Sequence, residues 1–244
     1  MITLYGTTVS IDEMTVVLDW MGIIVFATTG ALVASRKEMD VVGFALLATV
    51  TGVGGGTLRD LLLGLTPVFW VANPTYLIVC LCVACFLFFT AHIPASRLRL
   101  LLWLDGIGLA IFAVTGAERA LAADVAPVVA VAMGTITATF GGIIRDILGG
   151  ETPIILSREV YVTAAVLAAA TFVGSIHYGV AREIAIVSAF AVGVVIRSAA
   201  LIWGWTLPRY RRDRESDFHD TNLSKIDHPA IRMVNIGSAT VYFS

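Results

Sequence analysis

Two Arg-Asp pairs stand in a chain that otherwise leaves little room for charge: Arg59-Asp60 and Arg145-Asp146. Glycines precede each, Gly54-Gly55-Gly56 before the first and Gly141-Gly142 before the second, and 86 residues separate each member of one pair from its counterpart. Neither pair has a nucleophile or general base beside it, so no catalytic constellation is expected. Ionisable residues in apolar segments instead mark ion or substrate pathways and pair with one another. Each consecutive glycine lowers helix propensity by about 1 kcal/mol relative to alanine. The sequence therefore predicts two broken helices, each followed by its charged pair. Carbonyls freed at membrane depth are tolerated only where they face protein or water, and they suit a partly dehydrated cation. Each arginine is expected to be held by an aspartate and to set the field near the pore.

Other residues extend this pattern. Thr49 and Thr51 precede the first glycine run, and Thr135, Thr137 and Thr139 precede the second. Singly they read as helix–helix hydrogen bonders; together they are expected to wet or support a pore wall. Asp19 and Asp105 lie near the starts of apolar segments, where a carboxylate either stabilises a helix N-terminus or marks a pore mouth. Arg197 lies inside the last apolar segment, too deep to snorkel, and is expected to pair with Asp105 or Asp146. Gly22, Gly30, Gly106, Gly108 and Gly116 read as sites of close helix packing. Cys80, Cys82 and Cys85 share one apolar run with no histidine or acid beside them, so they read as membrane-helix side chains and not as a metal site. The glycine runs are not phosphate loops, because the Lys-Ser/Thr that follows such a loop is missing.

The elements that must position these residues are membrane helices. Of 244 residues, 58% are hydrophobic and 14% charged, with a mean hydropathy of +0.89. A soluble domain carries about 25% charged residues, so this chain must face lipid. No basic, aromatic-interleaved patch points to nucleic acid. Met1 to Ser10 lacks the basic region of a signal peptide. Seven apolar segments approach the roughly 20 residues that span a bilayer: about 14–34, 41–57, 74–92, 100–117, 125–144, 160–178 and 184–207. Backbone groups in lipid need internal partners, so these are helices. With seven spans, one side carries Arg36, Lys37, Arg97, Arg99, Arg145, Arg158, Arg209, Arg211, Arg212 and Arg214, and the other only Arg59, Arg119 and Arg182. The bias places the N-terminus outside and the C-terminus in the cytoplasm.

The 86-residue shift also superposes Leu18-Asp19 on Leu104-Asp105, Thr29-Gly30 on Thr115-Gly116, and Thr66-Pro67 on Thr152-Pro153, without gaps. Each repeat holds three spans, an odd number, so the second enters the membrane inverted. The expected fold is an all-α integral membrane protein of seven transmembrane helices. It divides into a three-helix repeat over 14–92, an inverted three-helix repeat over 100–178, a seventh helix over 184–207 and a cytoplasmic tail over 208–244.

The doubled motifs, Gly54-Gly55-Gly56-Thr57-Leu58-Arg59-Asp60 and Gly141-Gly142-Ile143-Ile144-Arg145-Asp146, resemble those of the prokaryotic trimeric intracellular cation (TRIC) channels, bacterial proteins with duplicated "glycine transporter" domains. Arg197 and the ending Trp205-Thr206-Leu207-Pro208 also match, and the resemblance covers about residues 14 to 208. It implies a homotrimer in the bacterial inner membrane, contacting lipid and not nucleic acid. It also implies a pore in each protomer, kinked at the glycines of helices two and five, that passes monovalent cations, chiefly potassium. No metal, organic cofactor or enzymatic activity is implied. The alternative from the residues themselves is a secondary transporter of a small zwitterion such as glycine, since inverted repeats with broken helices serve carriers equally well.

Overall fold

Helix dominates wherever the sequence is apolar. The computed structural model describes residues 2–4, 7–9, 13–90, 96–153 and 160–205. The tail over 208–244, Arg158 and the Thr206-Leu207-Pro208 ending lie outside these residues. The described helices are α1 (Glu13–Arg36), α2 (Val41–Leu62), α3 (Phe69–Ala72), α4 (Thr75–Thr90), α5 (Arg97–Ala122), α6 (Pro127–Leu148), α7 (Val162–His177) and α8 (Arg182–Trp203). Two three-residue strands, β1 (Ile2–Leu4) and β2 (Thr7–Val9), pair antiparallel ahead of α1, an addition to the all-helical expectation.

Local chemistry sets several helix ends. Asp40 caps α2, its Oδ1 accepting from the Gly43 N–H at 2.8 Å. Ser96 caps α5 by accepting from the Arg99 N–H at 3.3 Å. Pro127 opens α6, where its missing N–H removes no helical bond. Gly204, in left-handed conformation at φ 63°, closes α8.

α1, α2, α5, α6 and α8 are long and apolar enough to cross a membrane. α4 and α7 are apolar but have only 16 residues each, about 24 Å of helix against a hydrocarbon core of roughly 30 Å. The outer faces suit lipid: Ile78, Leu81, Phe86 and Phe89 on α4, and Val187, Val195 and Ile202 on α8, are exposed. Of the five long helices, α5 lies most deeply inside, with 72% of its apolar window buried, and α8 least, with 39%.

Two expectations are corrected. The helices do not break at the glycines: α2 runs unbroken through Gly54, Gly55 and Gly56, and α6 through Gly141 and Gly142. Nor do the charged pairs follow the helices. Arg59-Asp60 and Arg145-Asp146 lie within the last turns of α2 and α6, which extend to Leu62 and Leu148. The reason is tertiary. A Cβ on Gly55 would collide with the Thr137 carbonyl oxygen, and one on Gly141 would lie 2.5 Å from the Thr51 carbonyl oxygen. The backbones of α2 and α6 cross where only glycine fits, and packing offsets the poor propensity of glycine.

These contacts are reciprocal. Gly55 and Gly141, and likewise Thr51 and Thr137, are 86 residues apart, and each glycine meets the other repeat's threonine. The α1–α5 contact repeats the pattern. A Cβ on Gly22 would lie 2.8 Å from the Phe112 ring and one on Gly108 would strike the Phe26 ring, while the two rings stack edge to face at 5.0 Å. Residue i touching j while j's counterpart touches i's is the signature of contacts about a two-fold axis. Gly30 and Gly116 each lie against the threonine of the neighbouring helix, Thr51 and Thr137, and Gly106 against Arg197, as close packing at these positions requires.

Alanine at Gly55 is expected to destabilise the protein by about 1–3 kcal/mol, the range for overpacking. Alanine at Gly174, where a Cβ meets nothing within 4 Å, is expected to be neutral or to stabilise by up to about 1 kcal/mol. Thermal unfolding of the two variants in detergent checks the contrast.

Candidate functional site

Glycines let α2 and α6 touch, and the charges they carry then fall into two buried clusters. α1 and α5 pass through both. Asp105 and Arg119, one from each cluster, lie 14 residues apart on α5, about 21 Å at helical rise.

The first cluster joins Arg59 and Asp60 of α2, Asp19 of α1 and Arg119 of α5, all 8% exposed or less. Arg59 donates to Asp60 Oδ1 from Nε at 2.9 Å and Nη2 at 2.6 Å. Asp60 Oδ2 accepts from the Phe69 N–H at 2.9 Å, which ties α3 over the cluster. Trp70 Nε1 donates to Thr57 Oγ1 at 2.9 Å, a second tie. Arg119 is salt-bridged to Asp19 through Nη2. The Arg59 and Arg119 guanidinium carbons lie 5.9 and 6.0 Å from the Phe69 ring centroid, within cation–π range. Tyr76 stacks on Trp20 at 4.0 Å and closes the side toward α4. A Cβ on Gly56 would meet the Phe69 ring at 2.7 Å, so this glycine makes room for α3.

The second cluster joins Arg145 and Asp146 of α6, Asp105 of α5, Thr29 of α1, Tyr161 ahead of α7 and Arg197 of α8. Arg145 is fully buried and held from three helices. Its Nε donates to Asp146 Oδ1 at 2.8 Å, and its Nη1 donates to Asp105 Oδ1 at 2.6 Å and to Thr29 Oγ1 at 3.0 Å. The Arg197 guanidinium lies 5.0 Å over the Tyr161 ring. A Cβ on Gly142 would lie 3.1 Å from Tyr161 Oη and 3.6 Å from Asp105 Oδ1, so Gly142 clears this polar corner while Gly141 serves the crossing. Each cluster sets two arginines against two aspartates and is formally neutral. Removing an ion from water costs several kcal/mol even after relaxation, so neutrality within each cluster is what makes its burial tolerable.

The helix-start reading of Asp19 and Asp105 is overturned. They lie well inside α1 and α5 and accept from Arg119 and Arg145. Arg197 enters the cluster that holds Asp105 and Asp146 and covers Tyr161. The threonines turn inward: Thr51, Thr135, Thr137 and Thr139 each donate to the carbonyl four residues earlier, at 2.6 to 2.9 Å. Their hydroxyls satisfy their own helices, and Thr51 and Thr137 present their carbonyl oxygens to the crossing. Thr49 Oγ1 is buried without a hydrogen bond.

Some residues of these clusters carried no usable sequence signal. Arg119 reads as a loop charge if the apolar segment ends at Ala117, but α5 continues to Ala122 and buries it. Tyr161 and Phe69 gave no signal. Thr29 was visible only as a member of the repeat. A third group ties α8 to the bundle: Thr15 Oγ1 donates to Glu118 Oε2 at 2.7 Å and Arg182 Nε donates to Glu118 Oε1 at 2.5 Å. At the opposite end Arg36 and Lys37 pair with Glu151 at 3.1 and 3.7 Å, partly exposed. Cys80 is buried, and Cys82 and Cys85 are exposed.

The family model described as glycine transporter matches the chain twice, over residues 16–92 and 102–177. A TRIC trimeric intracellular cation channel orthologue from Rhodobacter sphaeroides is 61% identical and superposes with a TM-score of 0.78, over 80% of this chain and all of that one. The chain belongs to the prokaryotic TRIC channel family. A prokaryotic TRIC channel crystallised in 0.5 M KCl, 28% identical, has a TM-score of 0.74 over 80% of this chain and 98% of that one. The inner membrane protein YadS of Escherichia coli K12 is 39% identical over 80% of this chain and 96% of its own length. A Vibrio cholerae membrane protein is also 39% identical, over 79% of this chain and 81% of its own. Like these relatives, this TRIC family member is a multi-pass membrane protein. Both matched segments contain one glycine motif, one Arg-Asp pair and the aspartate ahead of them.

Removing one partner of the second cluster leaves an uncompensated buried charge. Asp105→Asn or Arg145→Gln is expected to destabilise by about 3–5 kcal/mol. Arg36→Gln, which breaks only a partly exposed pair, should cost less than about 1 kcal/mol. Denaturant unfolding in detergent compares them.

Proposed function

We propose that this protein is a passive channel for monovalent cations, potassium above others, with one path per protomer between α2 and α6. The observation that carries this reading is the glycine crossing of α2 and α6 between two buried, neutral charge clusters. The helices touch there, and this reading takes the path as closed. The carbonyls of Thr51 and Thr137 face the crossing, and such oxygens replace an ion's hydration shell when the helices part. The glycines at Gly54, Gly55, Gly56, Gly141 and Gly142 are the positions at which α2 and α6 bend or separate. Arg59, Asp60, Arg145, Asp146, Asp19, Asp105 and Arg197 set the field at the two ends. The similarity to TRIC channel structures supports the reading.

The same reading takes α1, α2, α4, α5, α6, α7 and α8 as seven crossings. Residues 14–92 and 100–178 form two inverted repeats, 184–207 is the seventh helix and 208–244 the cytoplasmic tail. The reciprocal glycine contacts support an axis in the membrane plane. Arg59, Arg119 and Arg145 are buried, so they leave the loop-charge tally, and the ten-to-three bias becomes nine to one. This supports an outside N-terminus and a cytoplasmic C-terminus in a bacterial inner membrane. Homotrimeric assembly, contact with membrane lipid and the absence of any cofactor, enzymatic role or nucleic-acid partner belong to the same reading.

Purified protein fused into a planar bilayer between potassium solutions is expected to show unitary currents that reverse near the potassium equilibrium potential under a gradient. Slow, saturable glycine uptake into vesicles without unitary currents would establish the carrier instead.

A further inference from the structure

Each repeat builds the same arginine fork. Arg59 Nε lies 2.9 Å and Nη2 2.6 Å from Asp60 Oδ1, and Arg145 Nε and Nη2 both lie 2.8 Å from Asp146 Oδ1. The forks differ in what meets the remaining nitrogen. Arg145 Nη1 donates to Asp105 Oδ1 at 2.6 Å and to Thr29 Oγ1 at 3.0 Å. The 86-residue shift turns that acceptor pair into Asp19 and Thr115. Among the described residues Arg59 makes neither bond. Asp19 is nonetheless within electrostatic reach of Arg59. Its Oδ2 is held by Arg119, and one carboxylate has acceptor sites for two arginines.

Thr115 gives this difference its meaning. It is fully buried, and its Oγ1 has no hydrogen-bond partner among the described residues. Its counterpart Thr29 is equally buried but fully used: Oγ1 donates to the Phe26 carbonyl at 2.8 Å and accepts from Arg145. Phe112 stands three residues before Thr115 as Phe26 stands before Thr29, yet Thr115 does not repeat that bond. A buried hydroxyl without a partner costs free energy that a valine of the same shape does not. Packing in the observed arrangement therefore gives no reason for a hydroxyl at this position, whereas a second arrangement that satisfies it does.

We propose that Thr115 is a positioning residue for Arg59: in a second arrangement of the first cluster, Arg59 keeps its fork on Asp60 while its Nη1 donates to Asp19 and Thr115, as Arg145 Nη1 does to Asp105 and Thr29. Inverted repeats move as matched bodies that rock against each other, so the geometry of one half describes a position open to the other. The proposal rests on the channel reading above, in which the observed contact of α2 with α6 is the closed arrangement. Arg59 lies four residues beyond Gly55 on α2, about one helical turn. Drawing it toward α1 and α5 therefore shifts α2 where it meets α6, and the second arrangement is the conducting one. Arg119 keeps its bond to Asp19 in both.

The test is potassium flux from reconstituted vesicles, together with thermal unfolding in detergent, for wild type, Thr115→Val, Thr115→Ser and Thr29→Val, each first checked for its oligomer by size-exclusion chromatography. Thr115→Val is expected to lower flux at least about fivefold, the lower end of a typical coupling between two states. Its Tm is expected to be unchanged or raised, because no bond of the observed arrangement is lost. Thr115→Ser keeps the hydroxyl and is expected to conduct like wild type. Thr29→Val removes an acceptor that Arg145 uses and is expected to lower Tm. A conducting wild type with Thr115→Val at the same flux overturns the role of Thr115 and leaves the channel reading standing. A Tm of Thr115→Val lowered as far as that of Thr29→Val also overturns it, since the hydroxyl then already has its bond. Absence of potassium flux from wild type overturns the channel reading, and the second arrangement with it.

Discussion

Buried charge is the constraint on which this bundle depends. Arg59, Arg119, Arg145, Arg197, Asp19, Asp60, Asp105 and Asp146 are all withdrawn from solvent inside helices whose outer faces suit hydrocarbon. An unpaired ion in such a place costs several kcal/mol, so each helix is held where its charge finds the opposite one. α1, α2 and α5 meet at Asp19, Arg59, Asp60 and Arg119; α1, α5 and α6 meet at Thr29, Asp105, Arg145 and Asp146. α8 carries no counterpart in either repeat, yet Arg182 at one of its ends and Arg197 near the other fasten it to the bundle.

The glycines serve the same constraint. Arg145 on α6 reaches Asp105 on α5 and Thr29 on α1 only because the helices that carry them run close together. Gly55 and Gly141 bring α2 and α6 into backbone contact, Gly142 clears the corner shared by Tyr161 and Asp105, and Gly56 admits Phe69. Each does a different job, although the sequence shows them as one run. Thr51 and Thr137 follow suit: with hydroxyls bonded to their own helices, they leave their carbonyl oxygens facing the crossing.

Duplication gives the two halves the same parts, and the surroundings make them differ. Asp19 and Asp105 are counterparts, yet Asp105 binds the arginine of its own repeat and Asp19 binds Arg119 from the other. α8 brings Arg197 to the second cluster, and α3, anchored by Asp60, packs on the first. The two ends are thereby completed by different helices, a difference that no comparison of the two motifs alone reveals.

Much was legible in the sequence. Apolar length and the scarcity of charge determined a helical membrane protein, and the fixed shift of 86 residues determined which glycines, threonines and charges correspond. These follow from composition and spacing, which need no knowledge of what packs against what. Tertiary structure alone decided whether Gly54-Gly55-Gly56 breaks a helix, because propensity disfavours glycine while a close crossing demands it, and the balance depends on a partner helix 86 residues away. It alone decided that Asp19 answers Arg119, and that Arg119 is buried at all. A charge three residues from a helix end reads equally well as solvated or inside until the neighbouring helices are in place.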